Sequence, residues 1–304
     1  MTSWISPSRL MGAGILLGVV WWAGTDPFVA GVRSLDGPTV FLGLALGVLT
    51  TVAAAWRWRL VARGLHLDLP LGRATAAYYR SQLLNLTLPG GVVGDVLRGV
   101  DHGRAVADPA RALRSVAWER TVGQVVQSVL AVVVLVSLPS PVSSALPVMA
   151  ALLVVGGLVL VTLGRAWAAV RVDAAGLLEH RVWPGVVALS VVVVAGHAAT
   201  FVVAARAAGV GARPETLLPL ALLVLVAAAV PANIAGWGPR EGMAAWAFGA
   251  AGLGAQQGVA TSVVFGVMVM VAALPGVVTV LVEPRLHRAA RTGRTSIGGR
   301  QARA

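Results

Sequence analysis

The amino-acid sequence predicts an all-α fold, a polytopic membrane helix bundle, and three observations predict it. The first is composition: 57% of residues are hydrophobic and 12% are charged, with mean hydropathy +0.82. A soluble domain carries about 25% charged residues. The second is the set of apolar runs that reach the ~20 residues needed to cross a bilayer. The third is a short pattern that occurs twice, each time where a long apolar stretch is interrupted.

The first copy runs Leu88-Pro89-Gly90-Gly91-Val92-Val93-Gly94-Asp95-Val96-Leu97-Arg98. The second runs Val230-Pro231-Ala232-Asn233-Ile234-Ala235-Gly236-Trp237-Gly238-Pro239-Arg240, with Glu241 next. In both, Gly follows Pro by five positions and Arg follows it by nine. A Pro-Gly break at membrane depth frees backbone groups that only protein or a water-filled cavity can satisfy. Paired breaks in corresponding positions of two halves point to a transporter-type binding site.

Taken in order, span 1 covers about 10–31, and a hairpin with Arg33 and Asp36 leads to span 2 at 38–56. Arg9 before the run 10–23 has the look of a signal peptide, but the run continues weakly to Val32, so an uncleaved span is expected. A basic segment follows with Arg57, Arg59, Arg63 and Arg73. Residues 74–97 form a re-entrant broken segment, because the apolar run 74–88 is too short to cross. The polar region 95–116 precedes span 3 at 117–138, the uncharged loop 139–147, and span 4 at 147–164. Loop 165–183 is basic and suits an amphipathic surface helix. Span 5 covers 184–205, and Arg206, Arg213 and Glu215 mark its far side. Residues 216–253 form the second re-entrant segment, and 257–282 the last span. Residues 1–284 therefore read as a single transmembrane domain, and 285–304 as a basic, disordered cytoplasmic tail.

Charge orients the chain. All 24 basic residues are Arg, and they concentrate in 57–73, 95–116, 165–183 and the tail, so these belong on the cytoplasmic side of a cell membrane, with both termini inside. The loops 33–37, 139–147 and 206–215 then face outward. This works only if neither Pro break crosses fully. Three spans separate the breaks, so they enter from opposite faces, which is an inverted repeat.

The candidate site residues follow from this. A charge at membrane depth costs ~2.5–3.5 kcal/mol or more, so Arg98 and Arg240 need a cavity or a partner. Arg suits phosphate because its planar fork donates parallel hydrogen bonds and stays charged. Gly90, Gly91, Gly94 and Gly236 let backbone N–H groups approach the same anion. The alternative is a structural lock, Arg98 with Asp95 and Arg240 with a carboxylate such as Glu119. Glu119-Arg120 opens span 3 either as an interfacial anchor or as partner to a re-entrant Arg. Arg80, Gln82 and Asn85 precede the first break as capping groups or as the wall of a polar path, and Asn233 can cap backbone freed at Pro231. His197 and Thr200 lie within span 5, where a lone His more often packs than carries a proton. Gln124 and Gln127 suit inter-helix contacts.

Several classes are excluded or unsupported. There is no cysteine, so disulfides and thiolate metal sites are ruled out. The five His residues lack metal-ligand spacing, and no nucleotide loop or catalytic constellation is present, so neither a cofactor nor enzymatic activity is expected. The net charge of +12 follows loop topology and does not imply nucleic acid.

At Asn85–Arg98, Trp118-Glu119-Arg120, Pro231–Gly242 and Leu274-Pro275-Gly276 the chain resembles the lysylphosphatidylglycerol synthase transmembrane-region family, also described as flippase-like membrane proteins. The resemblance runs in order along nearly the whole chain. It implies a bundle with two re-entrant helices that moves a lipid or lipid-linked headgroup, and it carries over Arg98, Glu119, Arg120, Arg240 and Glu241. The full synthases add a soluble aminoacyl-transferase domain. Here the chain ends at Ala304, soon after the last expected span, so lysine transfer is not expected. The expected partner is an anionic membrane phospholipid or a polyprenyl-phosphate-linked lipid. A membrane subunit that presents lipid to a separate membrane or cytosolic transferase is one rival reading, and an exporter of a small anion is another.

Overall fold

A computed structural model describes residues 25–88, 91–138, 168–230 and 237–281, with positions 21, 147 and 156. The expectations for residues 10–24, for span 4, for Pro89 and Gly90, for Pro231 to Gly236 and for the tail lie outside the described residues. Among those described, the chain is helical in ten elements: α1 (Asp26–Arg33), α2 (Gly37–Gly64), α3 (Leu71–Thr87), α4 (Val93–Val106), α5 (Pro109–Ser137), α6 (Ala168–Leu177), α7 (Trp183–Ala207), α8 (Pro214–Ala228), α9 (Pro239–Ala250) and α10 (Ala255–Ala273).

The helix starts follow local chemistry. Asp36 caps α2 by accepting from the Thr39 N–H at 2.9 Å, and Asp108 caps α5 by accepting from the Arg111 N–H at 3.0 Å. Both caps are followed by Pro in the first turn, where its missing N–H is no loss. Gly238 precedes α9 at φ +122°, a conformation that glycine tolerates, and its N–H donates to Glu241 Oε2 at 2.8 Å.

Among the described residues, four helices are long and apolar enough to cross a membrane: α2, α5, α7 and the stretch Ala255–Leu281 that contains α10. Only 11% of the apolar window of α5 is buried inside the protein. An apolar helix with so little internal burial has its surface in lipid, as the exposed Val129, Val133 and Val136 show. The helix bounds differ from the sequence expectation mainly on the basic side. α2 continues to Gly64, eight residues past the expected 56, and takes Arg57 and Trp58 into the interior. α5 begins at Pro109, where a polar region was expected up to 116.

α2 and α7 form the central pair. Their backbones approach closely: a Cβ on Gly196 would lie 2.4 Å from Thr50 Cγ2. Small residues at crossings are how membrane helices gain contact without a hydrophobic driving force. Around this pair lie two units of the same make. In one, α3 and α4 form a helical hairpin packed on α5. In the other, α8 and α9 form a hairpin packed on α10. One apolar core gathers Trp58, Val61 and Leu65 with Ala112 and Val116. A second gathers Phe201, Leu217, Leu220, Phe248 and Met268.

Candidate functional site

In the first unit Gly94 brings α4 onto α3. A Cβ there would lie 2.2 Å from the Ser81 carbonyl oxygen, so only glycine fits without separating the hairpin. This approach places Asp95 inside a hydrogen-bonded cage. Ser81 Oγ donates to Asp95 Oδ1 at 2.9 Å and Asn85 Nδ2 to Oδ2 at 2.8 Å. The Gly94 N–H donates to Asn85 Oδ1 at 2.8 Å, and Arg120 pairs with Asp95 from α5.

One helical turn on, Arg98 is fully buried. Its Nε donates to Asp95 Oδ1 at 3.0 Å and its Nη2 to Glu119 Oε2 at 2.7 Å. Its guanidinium carbon sits 4.6 Å from the Trp58 ring centre and 4.3 Å from that of Tyr78. Glu119, also fully buried, pairs with Arg57 through its other oxygen and accepts from the Tyr78 hydroxyl at 3.0 Å. Arg57 Nη1 reaches Ser190 Oγ on α7 at 3.2 Å. Three guanidiniums thus face two carboxylates across α2, α4 and α5. The pair Arg98 with Glu119 is sealed from solvent, and breaking such a pair costs about 3–5 kcal/mol; Arg57, the other partner of Glu119, borders the cavity.

The second unit repeats the plan with fewer charges. Arg240 Nε donates to Glu241 Oε1 at 2.7 Å and to Ser262 Oγ on α10 at 3.1 Å. Ser262 Oγ in turn donates to Glu241 Oε1 at 3.0 Å. Arg240 lies 5.2 Å from the Trp237 ring centre and 5.6 Å from that of Phe265. Ser262 occupies the place that Glu119 holds in the first unit, and each is followed four residues later by a glycine under a guanidinium. A Cβ on Gly123 would lie 2.9 Å from Arg57 Nη1, and one on Gly266 2.3 Å from Arg240 Nη2.

Between the units lies a cavity of about 310 Å³. Arg57, Arg120 and Arg240 line it, together with Gln82, Asn85, Gln124, Gln127, His197, Thr50, Thr51, Tyr78 and Thr200. Among the described residues, no Asp or Glu lines it. Gln127 Nε2 is buried without a hydrogen-bond partner among the described residues. The arrangement supplies hydrogen-bond donors and positive charge, which is the complement of an anion carrying several acceptor oxygens.

The structure brings Asn85, Gly91, Arg120 and Arg240 of the sequence-chosen residues to the cavity. It sets Asp95, Arg98, Glu119 and Glu241 behind them as ion-pair partners and Gly94 at the hairpin contact. Gly90, Asn233 and Gly236 lie outside the described residues. Glu119 is the partner of Arg98 and Arg57; Arg240 takes its carboxylate from the adjacent Glu241 instead. Arg57, Tyr78 and Ser262 escaped the sequence reading as site residues. Arg57 was grouped with a basic loop because its helix outlasts its apolar run. The matched Glu119–Gly123 and Ser262–Gly266 spacing was visible in the chain and carries the signal for Ser262.

The family model described as "Lysylphosphatidylglycerol synthase TM region" matches residues 9–276. Comparison with curated proteins gives no match. With the match spanning both units and the cavity between them, the chain belongs to the lysylphosphatidylglycerol synthase transmembrane-region family and is a membrane protein.

Proposed function

We propose that this protein binds the phosphate-type headgroup of an anionic lipid in the central cavity and carries it across the cytoplasmic membrane. In this reading it is a flippase-like carrier, not an enzyme, and both termini lie inside. The observation that carries the reading is the charge of the cavity: three arginines line it and no carboxylate does, among the described residues. Outside the described residues the sequence holds a single acidic side chain, Glu283. Arg240 and Arg120 are the gripping residues, since each lines the cavity and neither depends on Glu119, the carboxylate that Arg57 shares with the buried Arg98. Arg98 is the lock that holds the first unit closed. The family description names the transmembrane region of a lysylphosphatidylglycerol synthase, which favours a phospholipid or other lipid-linked phosphate as the carrier of the anion.

The same reading takes the two units as an inverted repeat whose hairpins re-enter from opposite faces. Support comes from the paired motifs, the paired hairpins and the matched Arg–partner–Gly sets. Single cysteines at Leu88 and Val230, in a chain with no native cysteine, then label from opposite sides of sealed vesicles. Labelling from one side sinks the inverted repeat.

Headgroup translocation in proteoliposomes containing phosphatidylglycerol, and in others doped with a polyprenyl phosphate, tests the function. Arg240→Ala and Arg120→Ala should abolish translocation while the protein stays folded; unchanged rates in both would overturn the reading. Dihexanoyl phosphatidylglycerol should bind more tightly than deacylated glycerophosphoglycerol. Equal binding would move the assignment to a soluble anion.

A further inference from the structure

The cavity holds one imidazole among its described lining residues, His197 on α7. Its Nδ1 lies 2.8 Å from the Val193 carbonyl oxygen of its own helix. A carbonyl can only accept, so Nδ1 carries the proton and the neutral ring leaves Nε2 as a bare lone pair. Among the described residues Nε2 has no hydrogen-bond partner, and the ring borders the cavity.

The charged and titratable surroundings are defined. From α2 the ring feels Arg57. α5 contributes Glu119 and Arg120, of which Arg120 lines the same cavity while Glu119 is held by Arg57 and Arg98. α8 carries Glu215 in its first turn, and α10 carries no charged residue. α7 itself carries Arg206 near its end. Tyr78 and Arg240 complete the cavity from α3 and α9. The ring therefore shares its cavity with three guanidiniums and, among the described residues, no carboxylate, a poor setting for a further positive charge. An anion in the cavity reverses this. It also presents acceptor oxygens, which a neutral Nε2 lone pair opposes and a protonated Nε2–H satisfies.

We propose that His197 takes up one proton at Nε2 when the anion binds, so that the headgroup moves together with a proton. The inference rests on the anion-binding reading above and adds a coupling ion to it. By linkage, a proton that tightens anion binding is itself held more tightly by the bound anion. Each transport cycle then moves one phosphodiester negative charge with one positive charge, and a proton gradient acts on the anion's distribution.

The test is binding of dihexanoyl phosphatidylglycerol, whose phosphodiester does not titrate between pH 5.5 and 8, to the purified full chain in detergent. The wild type should bind about tenfold more tightly at pH 5.5 than at pH 8, on the order expected for a coupling between two sites. His197→Gln, which keeps a polar side chain and removes the titration, should bind with the same affinity at both values. Calorimetry of the wild type in two buffers of different ionisation enthalpy should show uptake of close to one proton per ligand bound, a readout that does not depend on the variant folding. Binding of equal strength at both pH values with no proton uptake overturns the coupling and leaves the anion site standing. No binding at either pH overturns the anion site and the coupling with it.

Discussion

The two helical hairpins are built on one plan and differ in how their arginines are neutralised. Around α3–α4, Arg98 is sealed between two aromatic rings and two carboxylates, and its charge never reaches the cavity. Around α8–α9, Arg240 has one carboxylate neighbour, a serine where the first unit has Glu119, and a face on the cavity. The same nine-residue spacing from Pro to Arg therefore yields a rigid strut in one unit and an accessible cation in the other. What separates them is the partner on the following long helix. A carboxylate there holds the guanidinium in the interior, where Arg98 Nη1 is left without a hydrogen-bond partner among the described residues, whereas a hydroxyl leaves Arg240 facing the cavity.

The largest effect should come from removing the shared carboxylate. Glu119→Gln leaves Arg57 and Arg98 without their common partner, Arg98 in a sealed interior, a loss of about 3–5 kcal/mol. Glu241→Gln should cost clearly less, because water or ligand in the cavity can solvate Arg240, and it should tighten anion binding by leaving that charge uncompensated. Thermal unfolding in detergent measures the first contrast, and equal destabilisation by the two variants would break it.

Next in size are the close approaches. Gly94→Ala drives a methyl group against the Ser81 backbone, and overpacking of this kind costs about 1–3 kcal/mol. Gly266→Ala meets only the far end of the Arg240 side chain. It should leave the unfolding midpoint nearly unchanged and weaken anion binding by displacing the guanidinium. A larger stability loss for Gly266→Ala than for Gly94→Ala would reverse the assignment of strut and grip.

Ser262→Ala removes one hydroxyl that accepts from Arg240 and donates to Glu241, a loss of about 1 kcal/mol. The smallest effect concerns pH at the foot of the first unit. Burial against the Trp58 ring, 5.6 Å between ring centres, holds the His102 imidazole below its ordinary range. The unfolded chain then takes up the proton first as pH falls. Stability from this group is present above the ordinary imidazole pKa of ~6.5 and declines as pH drops below it. His102→Asn should flatten that decline between pH 7 and pH 5 in the unfolding midpoint, with no corresponding change in the second unit.

The membrane class, the four long apolar helices and the two interrupted segments were legible in the chain because each depends on a local property: run length, proline position or loop charge. The span ends were less so. α2 runs eight residues past the expected span and takes Arg57 with it, since a helix continues as long as its backbone bonds are met, whatever its side chains face. Asp95, Arg98, Glu119 and Arg120 were each visible as charges near a break, and their residue types restricted them to a cavity or a partner. Which of these two each arginine found was decided by the tertiary structure alone. That choice depends on whether the next long helix brings a carboxylate or a hydroxyl within about 3 Å, a distance set by packing across twenty-one residues for Arg98 and Glu119 and twenty-two for Arg240 and Ser262. The sequence by itself determined that buried guanidiniums must be compensated. The fold determined that one is closed off by Glu119 while the other, beside Ser262, stays open to whatever enters the cavity.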